Sequence, residues 1–150
     1  MTTVRLKFET NVSATPGELW DWMTSVRGIS SEMRPILKMT FPNGMTHIPE
    51  NGDSLGKPLC NCKFLLLGIL PIDLSRLTFV EVERGRRFVE QSPLLSMKRW
   101  RHERVITAAG TGTRVTDHLE FSPRFASPLV KWFITRFFQH RHAVLLRQFG

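Results

Sequence analysis

Apolar and polar residues alternate from Val4 to Val12, with Val4, Leu6 and Phe8 on one parity and Arg5, Lys7 and Glu9 on the other. This period of two predicts a half-buried strand. Thr15-Pro16-Gly17-Glu18 follows as a capping box with proline at the first helical position, and Leu19, Trp20, Trp22, Met23 and Val26 continue at helical spacing. A short helix is expected there, broken near Gly28. A second helical turn opens at Ser30-Ser31-Glu32 and is closed by Pro35. Residues 36–41 then read as a strand and 42–52, with Asn43-Gly44 and Asn51-Gly52, as a loop.

Two long strands are expected at 54–67 and 69–83, reversing near Gly68, and the second ends on the alternation Val80-Glu81-Val82-Glu83. A turn at Arg84-Gly85-Arg86 leads to a short strand at 87–92. Strands at 95–108 and 112–121 meet at Ala109-Gly110-Thr111-Gly112, where Gly110 suits the first central position of a type II′ hairpin. If Ala109 faces Gly112, Trp100 pairs with Phe121, His102 with Leu119, Arg104 with Asp117 and Ile106 with Val115. That face is mostly apolar and is expected to point inward, with Arg104 and Asp117 as a buried pair. The opposite face places Arg101 by Glu120 and Glu103 by His118, an exposed charged ladder.

The last element opens at Ser127-Pro128, read as a cap followed by proline, and runs to about Gln148. Val130, Phe133, Ile134, Phe137, Val144 and Leu145 form one apolar stripe, Arg141 lies inside it, and Trp132 and Leu146 fall on the far side.

Composition narrows the class. At 150 residues, 41% hydrophobic and 23% charged, the chain is expected to form one globular domain spanning residues 1–150 that needs no disulfide or structural metal. Cys60 and Cys62 share a strand face with poor disulfide geometry and read as reduced core thiols. No apolar signal core begins the chain and no run approaches the ~20 residues of a membrane span, so a cytoplasmic protein is expected. The formal charge of +8 favours anionic lipid, nucleic acid or an acidic partner without selecting among them, and nucleic acid is the less favoured. No His-Glu-x-x-His, phosphate loop, Gly-x-Ser-x-Gly or paired Cys-x-x-Cys occurs, and neither cofactor nor metal is expected.

The order of strand, two short helices, six antiparallel strands and long terminal helix resembles the SRPBCC superfamily of START-like helix-grip proteins. Ala14-Thr15-Pro16-Gly17-Glu18-Leu19-Trp20 is similar to that family's first helix entry. Trp100-Arg101-His102-Glu103-Arg104 and Thr116-Asp117-His118-Leu119-Glu120-Phe121-Ser122-Pro123 are similar to its strands before the final helix. The resemblance implies an α+β fold in which a curved antiparallel sheet wraps a long C-terminal helix around a hydrophobic cavity. It does not identify a ligand, because one fold hosts carriers, enzymes and interaction modules.

The residues expected to meet a ligand are Trp20, Phe64, Trp100 and Phe121 as walls, Phe133 and Phe137 from the helix, and His102, Arg104, Asp117 and Arg141 as polar groups. Arg141 is either a snorkelling side chain at the cavity mouth or the ligand's counter-ion. Three functions remain open. The first is binding or transport of a small hydrophobic molecule such as a lipid, isoprenoid or polyketide-like compound. The second is a cyclase or dehydratase with His102 as a base oriented by Asp117. The third is an interaction protein whose basic helix, with Lys131, Trp132, Arg136 and Arg147, meets an anionic membrane or macromolecule. Oligomeric state is not legible.

Overall fold

A computed structural model describes residues 3–50 and 52–150. Strand β1 (Val4–Val12) leads to helices α1 (Pro16–Thr24) and α2 (Val26–Met33). Strands β2 (Leu37–Met39), β3 (Cys60–Leu66), β4 (Leu70–Leu77), β5 (Phe79–Glu83), β6 (Arg87–Gln91), β7 (Met97–Ala109) and β8 (Gly112–Pro123) precede helix α3 (Ser127–Phe149). The antiparallel pairing is in the order β1-β8-β7-β6-β5, with β2-β3-β4 as a second, three-stranded sheet. The helix α3 lies across the inner face, where Phe138 stacks on Phe8 of β1 at 5.6 Å and the Ser13 amide donates to the Phe149 carbonyl.

Half of the expected capping box forms: Thr15 Oγ1 accepts from the Glu18 amide at 3.2 Å, while the Glu18 carboxylate accepts from the Thr15 hydroxyl at 3.2 Å and not from its backbone amide. The break between the short helices falls at Ser25 rather than near Gly28. The Ser25 hydroxyl oxygen accepts from the Gly28 amide, so it caps α2 and leaves Gly28 inside that helix. Glycine is required there because a β-carbon would sit 2.0 Å from the Trp22 carbonyl oxygen.

The strand expected over 54–67 is shorter, because a 3₁₀ turn at Gly52–Ser54 and a further turn occupy its first part. The strand expected over 69–83 is two strands parted at Thr78. Its amide donates to Ser92 Oγ instead of a ladder partner, and the chain passes there from the smaller sheet to the larger.

The hairpin β7–β8 has the expected register throughout its central part, Trp100 opposite Phe121 through Ala109 opposite Gly112. Gly110 has φ of 61° while Thr111 does not have positive φ, as a type II′ turn requires. On the outer face Arg101 stands opposite Glu120 and Glu103 opposite His118 as expected, but the ion pairs formed are Glu120 with Arg5 of β1 and Arg99 of β7, and Glu103 with Arg87 of β6.

Helix α3 also begins differently. Its cap is Ala126, left-handed at φ 48°, with no side-chain cap bond, and Ser127 is already helical. The apolar stripe is buried at Ile134, Phe137, Val144 and Leu145, joined by Phe138 and His142. No helix among the described residues is long and apolar enough to cross a membrane.

Candidate functional site

Strands β7 and β8 deliver Arg104 and Asp117 side by side on the inner face, and α2 and α3 cover them. Arg104 donates Nε and Nη2 to the two oxygens of Asp117, each at 2.8 Å. It also donates Nη1 and Nη2 to the two oxygens of Glu32, again at 2.8 Å. Asp117 further accepts from His102 Nε2 at 2.6 Å and His142 Nε2 at 2.7 Å, and Thr10 Oγ1 lies 2.6 Å from His142 Nδ1. Glu32 further accepts from Trp22 Nε1 at 2.8 Å and Arg141 Nε at 3.0 Å.

Both carboxylates therefore have four donors, and two guanidiniums balance two carboxylates in a dry interior. Burial by itself would push the Asp117 carboxyl up, but Arg104 and His102 hold it well below the usual carboxylate range. Burial opposes Glu32 in the same way, and Arg104 with Arg141 holds its carboxyl down. Arg104 is shifted upward against the effect of its own burial by Asp117 and Glu32.

Beside this cluster, between α3 and the sheets, is a cavity of about 420 Å³. Its walls are chiefly apolar: Met33, Leu37 and Met39 at one side, Phe64, Leu66, Met97 and Trp100 from the strands, and Val130, Phe133, Ile134, Phe137 and Phe138 from α3. Asp73, Glu90, Ser96, His102 and Arg141 supply the polar positions. Ser96 Oγ is hydrogen-bonded to Asp73 Oδ2, Ser92 Oγ donates to Glu90 at 2.6 Å, and His102 Nδ1 is 3.8 Å from Glu90. The cavity opens where Ile72, Phe125, Leu129 and Trp132 are exposed.

Of the residues singled out from sequence, Phe64, Trp100, His102, Phe133, Phe137 and Arg141 line this space. Trp20, Arg104, Asp117 and Phe121 do not. Trp20 donates its indole N–H to Glu50 at 2.7 Å beside a separate, much smaller hollow. Phe121 packs on Trp100 in the solid core, and Arg104 and Asp117 are consumed by the ion cluster. Cys60, Cys62 and Thr78 are not in the lining either. The thiols form no disulfide but are hydrogen-bonded to each other with Sγ atoms 3.2 Å apart, and burial together with Cys60 pushes the Cys62 thiol up.

Glu32, Asp73, Glu90 and Ser96 were not anticipated. Asp73 had a signal, being the single acid in an apolar hairpin, and Glu90 faces His102 through a β6–β7 register that no tight turn announces. Glu32 meets Arg104 across 72 residues of chain and Arg141 across 109, a separation no local pattern spans. Among the described residues no cluster of His, Cys, Asp or Glu is arranged to hold a metal ion.

A curved antiparallel sheet closed over a long terminal helix, with a hollow between them, defines the START-like helix-grip fold. The Zhui aromatase/cyclase from Streptomyces sp. R1128 superposes with a TM-score of 0.72 at 11% identity, over 98% of this chain and 93% of that one. A START superfamily protein from Mycobacterium smegmatis gives 0.66 at 12% identity, over 97% and 96%. Ara h 8.0201 gives 0.58 at 11% identity, over 96% and 98%. Residues 10–149 match the family model described as a domain of unknown function (DUF8410), and the chain belongs to that family. No curated protein matches the sequence significantly.

Proposed function

We propose that this protein binds and carries a small, largely apolar molecule in the cavity beneath α3. The observation that carries this reading is the cavity itself: about 420 Å³, walled by apolar side chains with a few polar groups at fixed places. That volume lies within the roughly 300–1,000 Å³ of small-molecule sites. The aromatase/cyclase and the START superfamily protein share its architecture, which supports a cavity used for a ligand. The two free thiols suit a reducing, cytoplasmic setting. An environment-sensitive apolar dye tests the reading. The folded protein is expected to take up about one dye per chain, and Val130→Trp to reduce uptake without lowering the unfolding midpoint. Uptake unchanged by that substitution would count against this cavity.

The rim of the mouth favours loading from a membrane surface. Among the described residues, every strongly exposed large apolar residue except Leu146 lines the cavity or sits next to residues that do: Leu67, Ile69, Leu70 and Ile72 on the β3–β4 hairpin, Leu95, and Phe125, Leu129 and Trp132 around the start of α3. Leu67 holds a left-handed conformation at φ 53°, uncommon for leucine, at the tip of that hairpin. Segments 65–72, 94–98 and 124–136 contain Lys98, Arg124, Lys131 and Arg136 and no acid, which suits an anionic bilayer.

A cyclase-type reaction is the second reading, favoured by His102, which stands in the cavity wall with Asp117 at 2.6 Å behind it. The balance inclines to binding alone. Asp117 is ionised and fully bonded, so His102 donates Nε2 to it and presents only Nδ1 toward the cavity side, where Glu90 is the neighbouring group. Under the binding reading His102→Gln retains dye uptake, and no product forms from any ligand that the protein releases unchanged.

A further inference from the structure

Arg104 and Arg141 lie in one cluster and are used differently. Arg104 places four hydrogen bonds on two carboxylates. Arg141 donates only Nε, to Glu32, and its two terminal nitrogens have no hydrogen-bond partner among the described residues. Its side chain is 7% exposed, it lines the cavity, and its guanidinium carbon lies 4.9 Å from the Phe138 ring centre and 5.9 Å from that of Phe137. Neither nitrogen is sealed off from the cavity space, and because Arg141 lines that space both are free to donate to an oxygen delivered into it.

The charge around them limits what that oxygen can be. Arg141 is already balanced by Glu32, which the two guanidiniums keep ionised. The remaining charged groups of the lining, Asp73 and Glu90, are both carboxylates. A ligand carboxylate would be one more anion in a poorly solvated space that is already balanced or negative. An uncharged acceptor gains the same hydrogen bonds with no added charge.

We infer that the cavity takes an apolar molecule bearing an uncharged carbonyl oxygen, a ketone or an ester, held by the terminal nitrogens of Arg141 with its apolar remainder directed to the mouth at Leu129 and Trp132. The inference rests on the apolar-ligand reading above and names the ligand class for it.

Dodecane, methyl dodecanoate and dodecanoate share one chain and separate the possibilities when each competes with bound dye. The ester is expected to displace dye at about tenfold lower concentration than either of the others, the size of one hydrogen bond to a charged donor. On binding, its carbonyl infrared band is expected to move to lower frequency, as a hydrogen-bonded carbonyl does. Arg141→Met removes the donors at similar length, and is expected to abolish both the preference and the band shift in protein that circular dichroism shows to be folded. Should that variant not fold, the band shift on the native protein decides alone. Equal displacement by all three, or a carbonyl band at its apolar-solvent position, overturns the anchor and leaves the apolar-ligand reading standing. Tightest binding of dodecanoate overturns the uncharged class. Displacement by none of the three removes both readings.

Discussion

At the scale of single residues, the molecule is organised around Asp117 and Glu32, each carrying four donors in the interior. Removing a partner strands a charge that cannot reach water. Arg104→Ala and Asp117→Ala are each expected to cost about 3–5 kcal/mol in chemical denaturation. Arg101→Ala, on the outer face, should cost under about 1 kcal/mol. The opposition of Arg104 and Asp117 was legible because a four-residue turn sets the register of everything behind it. Their role was not. The same pairing suits a ligand-facing dyad or a closed structural cluster, and Glu32, which decides between them, arrives from α2 through tertiary packing alone.

At the scale of elements, local chemistry fixed what lay within its reach. Strand β1, the Thr15 cap of α1, the II′ hairpin and the long final helix all follow from patterns a few residues wide. The unbroken strand expected over 69–83 failed because alternation continues across Thr78 while the partner strand changes, and alternation carries no information about partners. The helix break moved from Gly28 to Ser25 because a serine cap outweighs the glycine's low helix propensity where the backbone passes so close to Trp22.

The element with the most direct functional consequence is the β3–β4 hairpin, whose tip exposes Leu67, Ile69 and Leu70 between Leu66 and Ile72, two residues that line the same cavity as Leu129 and Trp132 of α3. Co-sedimentation with anionic vesicles is expected at low salt and to weaken as salt rises. Ile69→Ser with Trp132→Ser should reduce it at least ~10-fold, as two buried anchors are lost. Arg5→Ala with Lys7→Ala, on the outer face, should change it by less than about twofold. Equal losses from both pairs would place the contact elsewhere.

At the scale of the whole molecule, the buried cluster ties the sheet, α2 and α3 together through charge, and this makes stability depend on pH. Asp117 and Glu32 have folded values depressed below their unfolded ones. Their contribution is fully present above the ordinary carboxylate range and is lost as pH falls through the depressed folded values. Unfolding midpoints should therefore be level near neutrality and fall steeply below about pH 4, with Asp117→Asn flattening that decline. A midpoint that rises on acidification would contradict the ionised cluster.

The same cluster closes one side of the cavity with groups that are already satisfied, leaving Arg141, His102, Asp73, Glu90 and Ser96 as its polar positions. Native mass spectrometry of the purified protein, before and after incubation with a membrane-lipid extract, tests the central claim most directly. The account predicts one small-molecule adduct per folded chain that disappears on denaturation and is recovered chemically intact. A native mass equal to the bare chain in both samples would contradict it.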